Sequence, residues 1–529
     1  METEVKGVGA ERGWTVSAYL LLAALALAAF VIYKLVLTGE TWDKYGVKHV
    51  SMFRIAFDDF RKGTTKLINE EGDTVGLNMG DMLLLTRDLD ILRNVMVKDF
   101  NNFVDRSLLI ASNSPLEKGL FFLNGQDWRR IRHVTTPSFS TGKLKQVSGH
   151  LNESAARLAR VLEEYAQRDD LVPIKHLMGQ FTSEVIARTA FSLNTDCVGK
   201  GDDEFTRYAK KIFKIHGVLM NLLMLIMFQN KRLHRFLVKT MKLQLVDSVS
   251  EDADQYFVSI LESALKERHE LASQGKKPHP DLFQNLIVAQ EAGSKAEENS
   301  TDNSAGTSGE KIPRTMTHEE LLGQSMLIIF AGFDTTASTL QMCFYYLAKH
   351  PEIQEKVYQE ITRTVTSESP TYEDVAQLRY TEQVLNETLR LCPPAPIMTR
   401  RAAEARTYGS VTIPKDAAVI ILLDMIMRDP KHYPDPDKFD PERFSEENCA
   451  KRDPMAFVPF GYGPRQCIGM RLAYMELKFC LVHVMRKVKF ELNERTEPKP
   501  GGEITMSFQG VVIIDKPIML AVKLRESSK

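Results

Sequence analysis

"FGYGPRQCIG", residues Phe460 to Gly469, sets one cysteine inside a glycine-rich loop, with a phenylalanine at its start and an arginine two residues before the sulfur. A thiolate serves as nucleophile, redox partner or metal ligand, and each use asks for a lowered pKa. Gly461, Gly463 and Gly469 allow close backbone approach and positive φ. The apolar pattern of "IGMRLAYMELKFCLVHVM" predicts a helix, which puts Cys467 at an amino end where free N–H groups and the dipole favour negative charge. A thiolate of low pKa is therefore expected. As a nucleophile the sulfur would want a histidine partner; none of the 12 histidines stands in a motif that suggests one, and pairing in space stays open. A structural thiol has no need of the glycines. As sole protein ligand of a large planar cofactor, Cys467 needs both close approach and a positive group for the cofactor's carboxylates, which Arg465 can provide. Haem iron with a cysteine axial ligand fits this description.

Outside the loop, the bulk properties exclude more than they assert. At 529 residues the chain admits several average domains, or one large domain with an appendage. A formal net charge of -1, with no acidic or basic tail, gives no reason to expect nucleic acid as a partner. Six cysteines (Cys197, Cys343, Cys392, Cys449, Cys467, Cys480) occur without a CxxC pair, which predicts reduced thiols on the cytosolic side and neither disulfides nor structural zinc. All but Cys467 read as small buried hydrophobes.

The amino terminus has its own signal. From Val16 to Tyr33, "VSAYLLLAALALAAFVIY" is uncharged and close to the length of about 20 residues that a bilayer-crossing helix needs. Trp14, Tyr19 and Tyr33 suit the interfaces, and Lys34, Lys44 and Lys48 follow on one side, which leaves the large carboxy-terminal part in the cytosol. A cleaved signal peptide competes, because "ALALAA" offers small residues to a peptidase. The length of the run and the lack of a cysteine framework favour an uncleaved anchor over residues 1–37, with one large domain over 38–529.

Periodicity makes that domain mainly α with a minor β-sheet. "DTVGLNMGDMLLLTRD", Asp73 to Asp88, reads as a hairpin turning at Met79-Gly80-Asp81. Helical spacing runs from Leu151 to Ala166 and from Phe181 to Phe191. Residues 291–314 are polar and Ser/Gly/Asn-rich, which predicts a mobile surface loop. Thr317 and Glu320 form a T-x-x-E capping box ahead of a long apolar run, predicting a central buried helix to about Lys349. "VLMNLLMLIMF", Val218 to Phe228, is too short to span a bilayer. With Lys231, Arg232 and Arg235 behind it, it reads either as a buried helix or as a greasy element dipping into the membrane, and the basic cluster favours the second.

The loop residues Phe460, Gly463, Arg465, Cys467 and Gly469 match the F-x-x-G-x-R-x-C-x-G haem signature at every fixed position, and by it the chain resembles the cytochrome P450 family. "AGFDTT", Ala331 to Thr336, resembles the family's A-G-x-[DE]-T-T oxygen-activation motif. There a glycine lets a flat ring lie against the helix, while Asp334 and Thr335 relay protons to a reduced dioxygen opposite the thiolate. The bland alternative has Thr335 bonding back to a carbonyl and Asp334 solvated; an acid within an apolar spine is costly unless used. "ETLR", Glu387 to Arg390, resembles the E-x-x-R pair, with Arg443 of "FDPERF" as its third, structural member. "EFTR" at Glu204 and "EITR" at Glu360 match the same pattern and read as surface pairs.

The same resemblance extends to the cofactor's carboxylates and the pocket. Trp128 and Arg132 of "WRRIR", with Arg400 and Arg465, stand where the family contacts the haem propionates, while Arg129 and Arg130 suit a docking face for an electron donor. Ala331, Phe103, Leu108, Phe121, Phe330, Phe333, Ala395, Ile397 and Phe508 fall in family substrate-contact segments, and their greasy character predicts lipophilic substrates. "PPAPIMTRRAA" and "FLN...DWRRIR" are similar to the animal microsomal type, near the branch of drug-metabolising enzymes and thromboxane synthase. One departure is that "YGVKHVSMFRIAF" lacks the proline-rich hinge expected after the anchor, which implies a lost segment or a less rigidly oriented domain.

The resemblance implies a monooxygenase of the endoplasmic reticulum membrane with haem b (iron protoporphyrin IX) as cofactor. It takes O2 and electrons from NADPH-cytochrome P450 reductase, with cytochrome b5 as a second donor. A haem-thiolate isomerase or lyase of the thromboxane synthase kind and a non-enzymatic haem- or lipid-binding membrane protein are the rivals. Asp334 and Thr335 count against both.

Overall fold

The hairpin forms as strands β1 (Thr74–Met79) and β2 (Asp81–Thr86), antiparallel, with Met79 opposite Asp81. The computed structural model describes residues 41–51, 54, 55, 58, 60–79, 81–106, 112–212, 240, 249–277, 279–298, 315–508 and 511–525. The segments Val16–Tyr33 and Val218–Phe228, and the basic residues after each, lie outside that set apart from Lys44 and Lys48. Two later strands complete the main sheet: β3 (Ile397–Arg401) and β4 (Ala418–Leu422). β4 pairs in parallel with β2, Leu83 opposite Ala418, and antiparallel with β3, Ile397 opposite Leu422. Its sequence AVIIL is buried at every position, as suits an inner strand covered on both faces.

Helices dominate the described residues. Those that matter for the site are α1 (Gly125–Thr135), α2 (Ser148–Arg168), α3 (Ile174–Phe191), α4 (Glu251–Ser273), α5 (Leu282–Glu298), α6 (His318–Lys349), α7 (Pro351–Thr364), α8 (Arg379–Leu391) and α9 (Met470–Lys487). Helix α6 starts at the capping box: the Thr317 hydroxyl accepts from the Glu320 amide at 3.2 Å and the Glu320 carboxylate accepts from the Thr317 amide at 2.8 Å. At 32 residues it is about 48 Å long. It is the one helix among the described residues long and apolar enough to cross a bilayer, but burial inside the protein already accounts for that composition.

Two hydrophobic clusters meet along α6. Its carboxy-terminal half (Leu340, Phe344, Leu347) packs with Leu158 of α2 and Leu481 of α9, and its amino-terminal half (Met326, Phe330, Phe333) with Trp128 of α1, Phe257 of α4 and Phe283 of α5. A third cluster, around Trp42, Leu84 and Val419, lies against the main sheet. Helix α5 runs on to Glu298, eight residues into the stretch read from sequence as loop. The Lys-Ala-Glu-Glu run there consists of strong helix formers.

Candidate functional site

Cys467 sits two residues before Gly469, the N-cap of α9. Gly461 and Gly463 hold φ of +74° and +73°. A Cβ on Gly463 would lie 2.1 Å from the Met96 carbonyl oxygen, so that position requires glycine twice over. Gly469 differs, with φ -86°; a Cβ there would sit 3.9 Å from the Cys467 sulfur, so what glycine leaves clear is the space beside the thiol. The loop is closed by the Cys467 amide donating to the Phe460 carbonyl at 2.9 Å.

The thiol has open space on one side although protein surrounds it almost completely, so it faces an internal hollow and not bulk water. Contrary to the low pKa expected from sequence, burial pushes this thiol up, outweighing the pull of the Gly469 amide, Arg132, Arg106 and the Met470 amide. The chain alone does not make the thiolate; a cation on the sulfur would.

Four guanidinium groups surround the same hollow. Arg465 reaches from the loop, 3% exposed, and donates to the Val104 and Leu123 carbonyls and, at 3.4 Å, to Asn124 Oδ1. Its guanidinium lies 5.0 Å over the Trp128 ring. Arg400 of β3 is fully buried and donates to the Thr399 carbonyl at 2.8 Å. Arg132 extends from α1, and Arg106 lies 4.1 Å over the Phe121 ring. Burial works against the charge on all four, and repulsion among them adds to it: Arg106 acts on Arg400 and Arg465, and Arg132 acts on Arg106 and Arg465. A guanidinium keeps its proton regardless, so the cluster calls for an anion. Among the described residues, Arg106 Nε and Nη1 are buried with no hydrogen-bond acceptor. The nearby acid, Asp105, already accepts from the Gly125 amide at 2.7 Å.

Across the hollow, Ala331 is the only exposed residue of α6 between Glu320 and Ala348, so the helix opens there alone. Phe330 and Phe333, on either side of it, pack in one cluster with Ile468, the neighbour of Cys467. The family model for Cytochrome P450 matches residues 50–522. The chain belongs to the cytochrome P450 family. Relatives match most of the chain. Cytochrome P450 3A41 of Mus musculus is 31% identical over 86% of this chain and 85% of its own length. Probable cytochrome P450 6a14 of Drosophila melanogaster is 32% identical over 86% and 90%, and Cytochrome P450 3A56 of Fundulus heteroclitus 31% over 83% and 83%. This P450 is a monooxygenase by family, and the family implies haem iron. The residues present fit that group: a thiol with a clear approach, and a cluster of guanidiniums suited to carboxylates, in which Arg106 has two donors without an acceptor among the described residues.

The "AGFDTT" stretch divides its work differently from the sequence reading. A Cβ on Gly332 would meet Ile186 Cδ1 at 3.1 Å, so this glycine lets α3 approach α6; Ala331 is the residue at the hollow. Thr335 Oγ1 donates to the Ala331 carbonyl at 2.7 Å, and Asp334 is half-buried.

Behind the loop, Glu387 and Arg390 of α8 are both fully buried and joined at 2.6 and 2.9 Å. Glu387 also accepts from the Asp440 amide at 2.9 Å, with Arg443 Nε at 3.5 Å. Arg390 further donates to the carbonyls of Met427 and Lys438, which carry the chain towards the Cys467 loop. Of the two look-alike motifs, Glu204 does pair with Arg207 on the surface at 3.1 Å. Glu360 of α7 does not. It is buried and accepts from the Tyr380 and Thr381 amides at 2.7 and 2.8 Å, capping the amino end of α8.

Several pocket expectations change. Phe103 is fully buried in the cluster against the main sheet, 6.3 Å from the Tyr408 ring, and is core. Phe333 is buried against Gly179 of α3, on the same side of α6 as the neighbouring helix, and is core too. Phe330 lies edge-on to Phe257 at 5.3 Å. Phe121 is 43% exposed, Ala395 exposed and Ile397 half-buried. Phe508 ends a strand whose partner residue Val512 donates to the Pro394 carbonyl at 3.0 Å, which seats that hairpin beside Ala395. Leu108 lies outside the described residues. Arg130, read as a docking residue, is instead committed to Glu320 at 2.9 Å and the Thr315 carbonyl at 2.7 Å. Arg129 donates to Asn101 at 2.9 Å. Arg106 was missed because it stands in no motif, its one sequence signal being a lone arginine beside an apolar run in "FVDRSLLI"; Asn124, although inside "FLN...DWRRIR", carried no assigned role.

Proposed function

We propose that this P450 inserts one oxygen atom of O2 into lipophilic organic substrates of the steroid, fatty-acid or xenobiotic kind, using electrons from NADPH delivered by a reductase. The observation that carries the reading is the convergence of four guanidiniums, two of them fully or almost fully buried and Arg106 with two donors unused, on the hollow that the Cys467 thiol faces. Cys467 would ligate the iron of haem b, with Phe460, Gly463 and Gly469 shaping the loop. Arg106, Arg132, Arg400 and Arg465 would bind the propionates, and Trp128 would back Arg465. When bound, the haem supplies the electron transfer and the activation of O2.

The chain's own part in the chemistry is proton handling and exclusion of water. With its proton on the Ala331 carbonyl, Thr335 Oγ1 still has lone pairs to accept a hydrogen bond, and Asp334 next to it can exchange protons with solvent. This pair favours monooxygenation over the thromboxane synthase kind of isomerisation, which needs no proton delivery. Glu387, Arg390 and Arg443 hold the loop and touch no reactant. An anchor over 1–37, a cytosolic domain over 38–529 and docking of NADPH-cytochrome P450 reductase or cytochrome b5 at the endoplasmic reticulum belong to the same reading.

The absorption spectrum of the reduced, carbon monoxide-bound protein tests it. Wild type should show the strongly red-shifted Soret band of thiolate ligation, and Cys467→Ala should lose it; a nitrogen-ligated spectrum in wild type would end the proposal. Thr335→Ala should keep that band while releasing several times more peroxide per product, and unchanged coupling would remove Thr335 from the relay.

A further inference from the structure

Between the Cys467 loop and α6 runs a short segment, Ser114 to Asn124. It is held at both ends. At its carboxy end Arg465 donates to the Leu123 carbonyl, and Asn124 Oδ1 accepts from the Arg106 amide at 2.9 Å. At its other end Leu116 and Leu120 are buried against α6, and one side chain supplies the polar contacts. Gln324 of α6, 3% exposed, accepts from the Leu120 amide at 2.7 Å through Oε1 and donates to the Lys118 carbonyl at 2.7 Å through Nε2. Two glycines bring the backbones close enough for this. A Cβ on Gly323 would lie 2.4 Å from the Pro115 carbonyl oxygen, and one on Gly119 would lie 3.2 Å from the Gly323 carbonyl oxygen.

Only Phe121 and Phe122 lie between the two fixed ends, their rings edge-on at 5.1 Å, with the Arg106 guanidinium over Phe121. We infer that Gln324 is a positioning residue that fixes the Phe121–Phe122 wall, and with it the Arg106 guanidinium stacked on Phe121, relative to α6. Glutamine suits the position because one planar amide offers donor and acceptor at once to a backbone that is two residues apart. Glutamate would face the Lys118 carbonyl with a second acceptor, and an apolar side chain would take the partner from the buried Leu120 amide and the half-buried Lys118 carbonyl. The wall then moves away from α6 while Cys467, held by its own loop, stays in place. The inference rests on the proposed haem site for its ligand-binding consequence, but the latch itself does not.

Two variants of the full chain in detergent or bilayer discs test it: Gln324→Met, which keeps the shape without the polar atoms, and Gln324→Glu, which keeps only the acceptor. Each lost bond is worth roughly a factor of five in an equilibrium. In Gln324→Met, amide hydrogen exchange of Gly119 to Leu123 should speed by at least about tenfold while that of the last turns of α6 stays unchanged. Spectral titration should show clotrimazole, an azole large enough to touch the wall, binding at least about fivefold more weakly, with imidazole within about twofold of wild type. Gln324→Glu should change both in the same direction, and it serves alone if Gln324→Met fails to fold. Wild-type exchange in either variant, or equal weakening of imidazole and clotrimazole, would overturn the inference. If wild type gave no spectral response to imidazole, the haem reading would fail, and the exchange result would still decide the latch.

Discussion

Replacing Glu387 should be the most damaging single change outside the haem ligand, and its size follows from the geometry. The carboxylate is fully buried, holds Arg390 in two bonds of 2.6 and 2.9 Å, accepts from the Asp440 amide at 2.9 Å and faces Arg443 at 3.5 Å. Removing one member of a buried pair costs about 3–5 kcal/mol, because the partner's charge stays in the interior. An amide left without its acceptor adds about 1–3 kcal/mol. Against a total stability of about 5–15 kcal/mol, Glu387→Ala should yield little folded protein and no thiolate Soret band. Glu387→Gln keeps an oxygen for the Asp440 amide and one bond to Arg390 but drops the charge, so only the pair term, about 3–5 kcal/mol, applies. At roughly 2 °C per kcal/mol for a large domain, the midpoint for thermal loss of the carbon monoxide-bound signal should fall by about 6–10 °C. Exchange of the Asp440 amide should separate this from simple loss of haem, since Glu387→Gln retains that bond. A Glu387→Gln protein whose midpoint lies within about 2 °C of wild type would refute the reasoning, because it would show that the buried charge is not needed.

Other changes have distinct signatures. Gly463→Ala puts a Cβ 2.1 Å from the Met96 carbonyl at a φ of +73°, so haem content should collapse; Gly461→Ala meets only the flexible end of Met398 and should lose less, by absorbance at the Soret band per protein. Arg106→Leu should move two assays in opposite directions: the haem-free protein melts higher because one of four mutually repelling cations is gone, while transfer of haem to apomyoglobin quickens by about tenfold or more. Burial pushes the His483 imidazole down to about 4, so the folded state holds it neutral, and stability that is complete above pH 6.5 drains away as pH falls towards 4. At pH 5 the loss is at most about 2 kcal/mol, and His483→Gln, which can still donate to Asn152, should lower the acid sensitivity of the melting temperature; an unchanged pH profile would count against it.

Features set by neighbours in sequence were legible. The hairpin at Met79–Asp81, the capping box of Thr317 and Glu320 and the glycines around Cys467 depend on residues within a few positions of one another. What was hidden depends on partners far along the chain. Glu360 looks like an E-x-x-R motif until the amino end of α8 is seen to lie over it. Arg130 looks like a surface cation until Glu320, 190 residues away, is found to accept from it. Phe103 and Phe333 show the same lesson for apolar residues: nearness to a motif does not say which side of an element faces the hollow. The thiol's pKa was misjudged because helix-end donors can be read from sequence and the extent of burial cannot.

The parallel pairing of β2 with β4 ties residue 83 to residue 418. A ribosome adding about 5–20 residues per second needs on the order of tens of seconds to make the intervening chain. Throughout that interval the hydrogen-bonding edge of β2 has no native partner, and an open edge is a template for pairing with other chains. A nascent chain truncated anywhere before β4 should therefore be recovered as aggregate or bound to chaperone, whereas release just after Leu422 should give the first protease-resistant sheet.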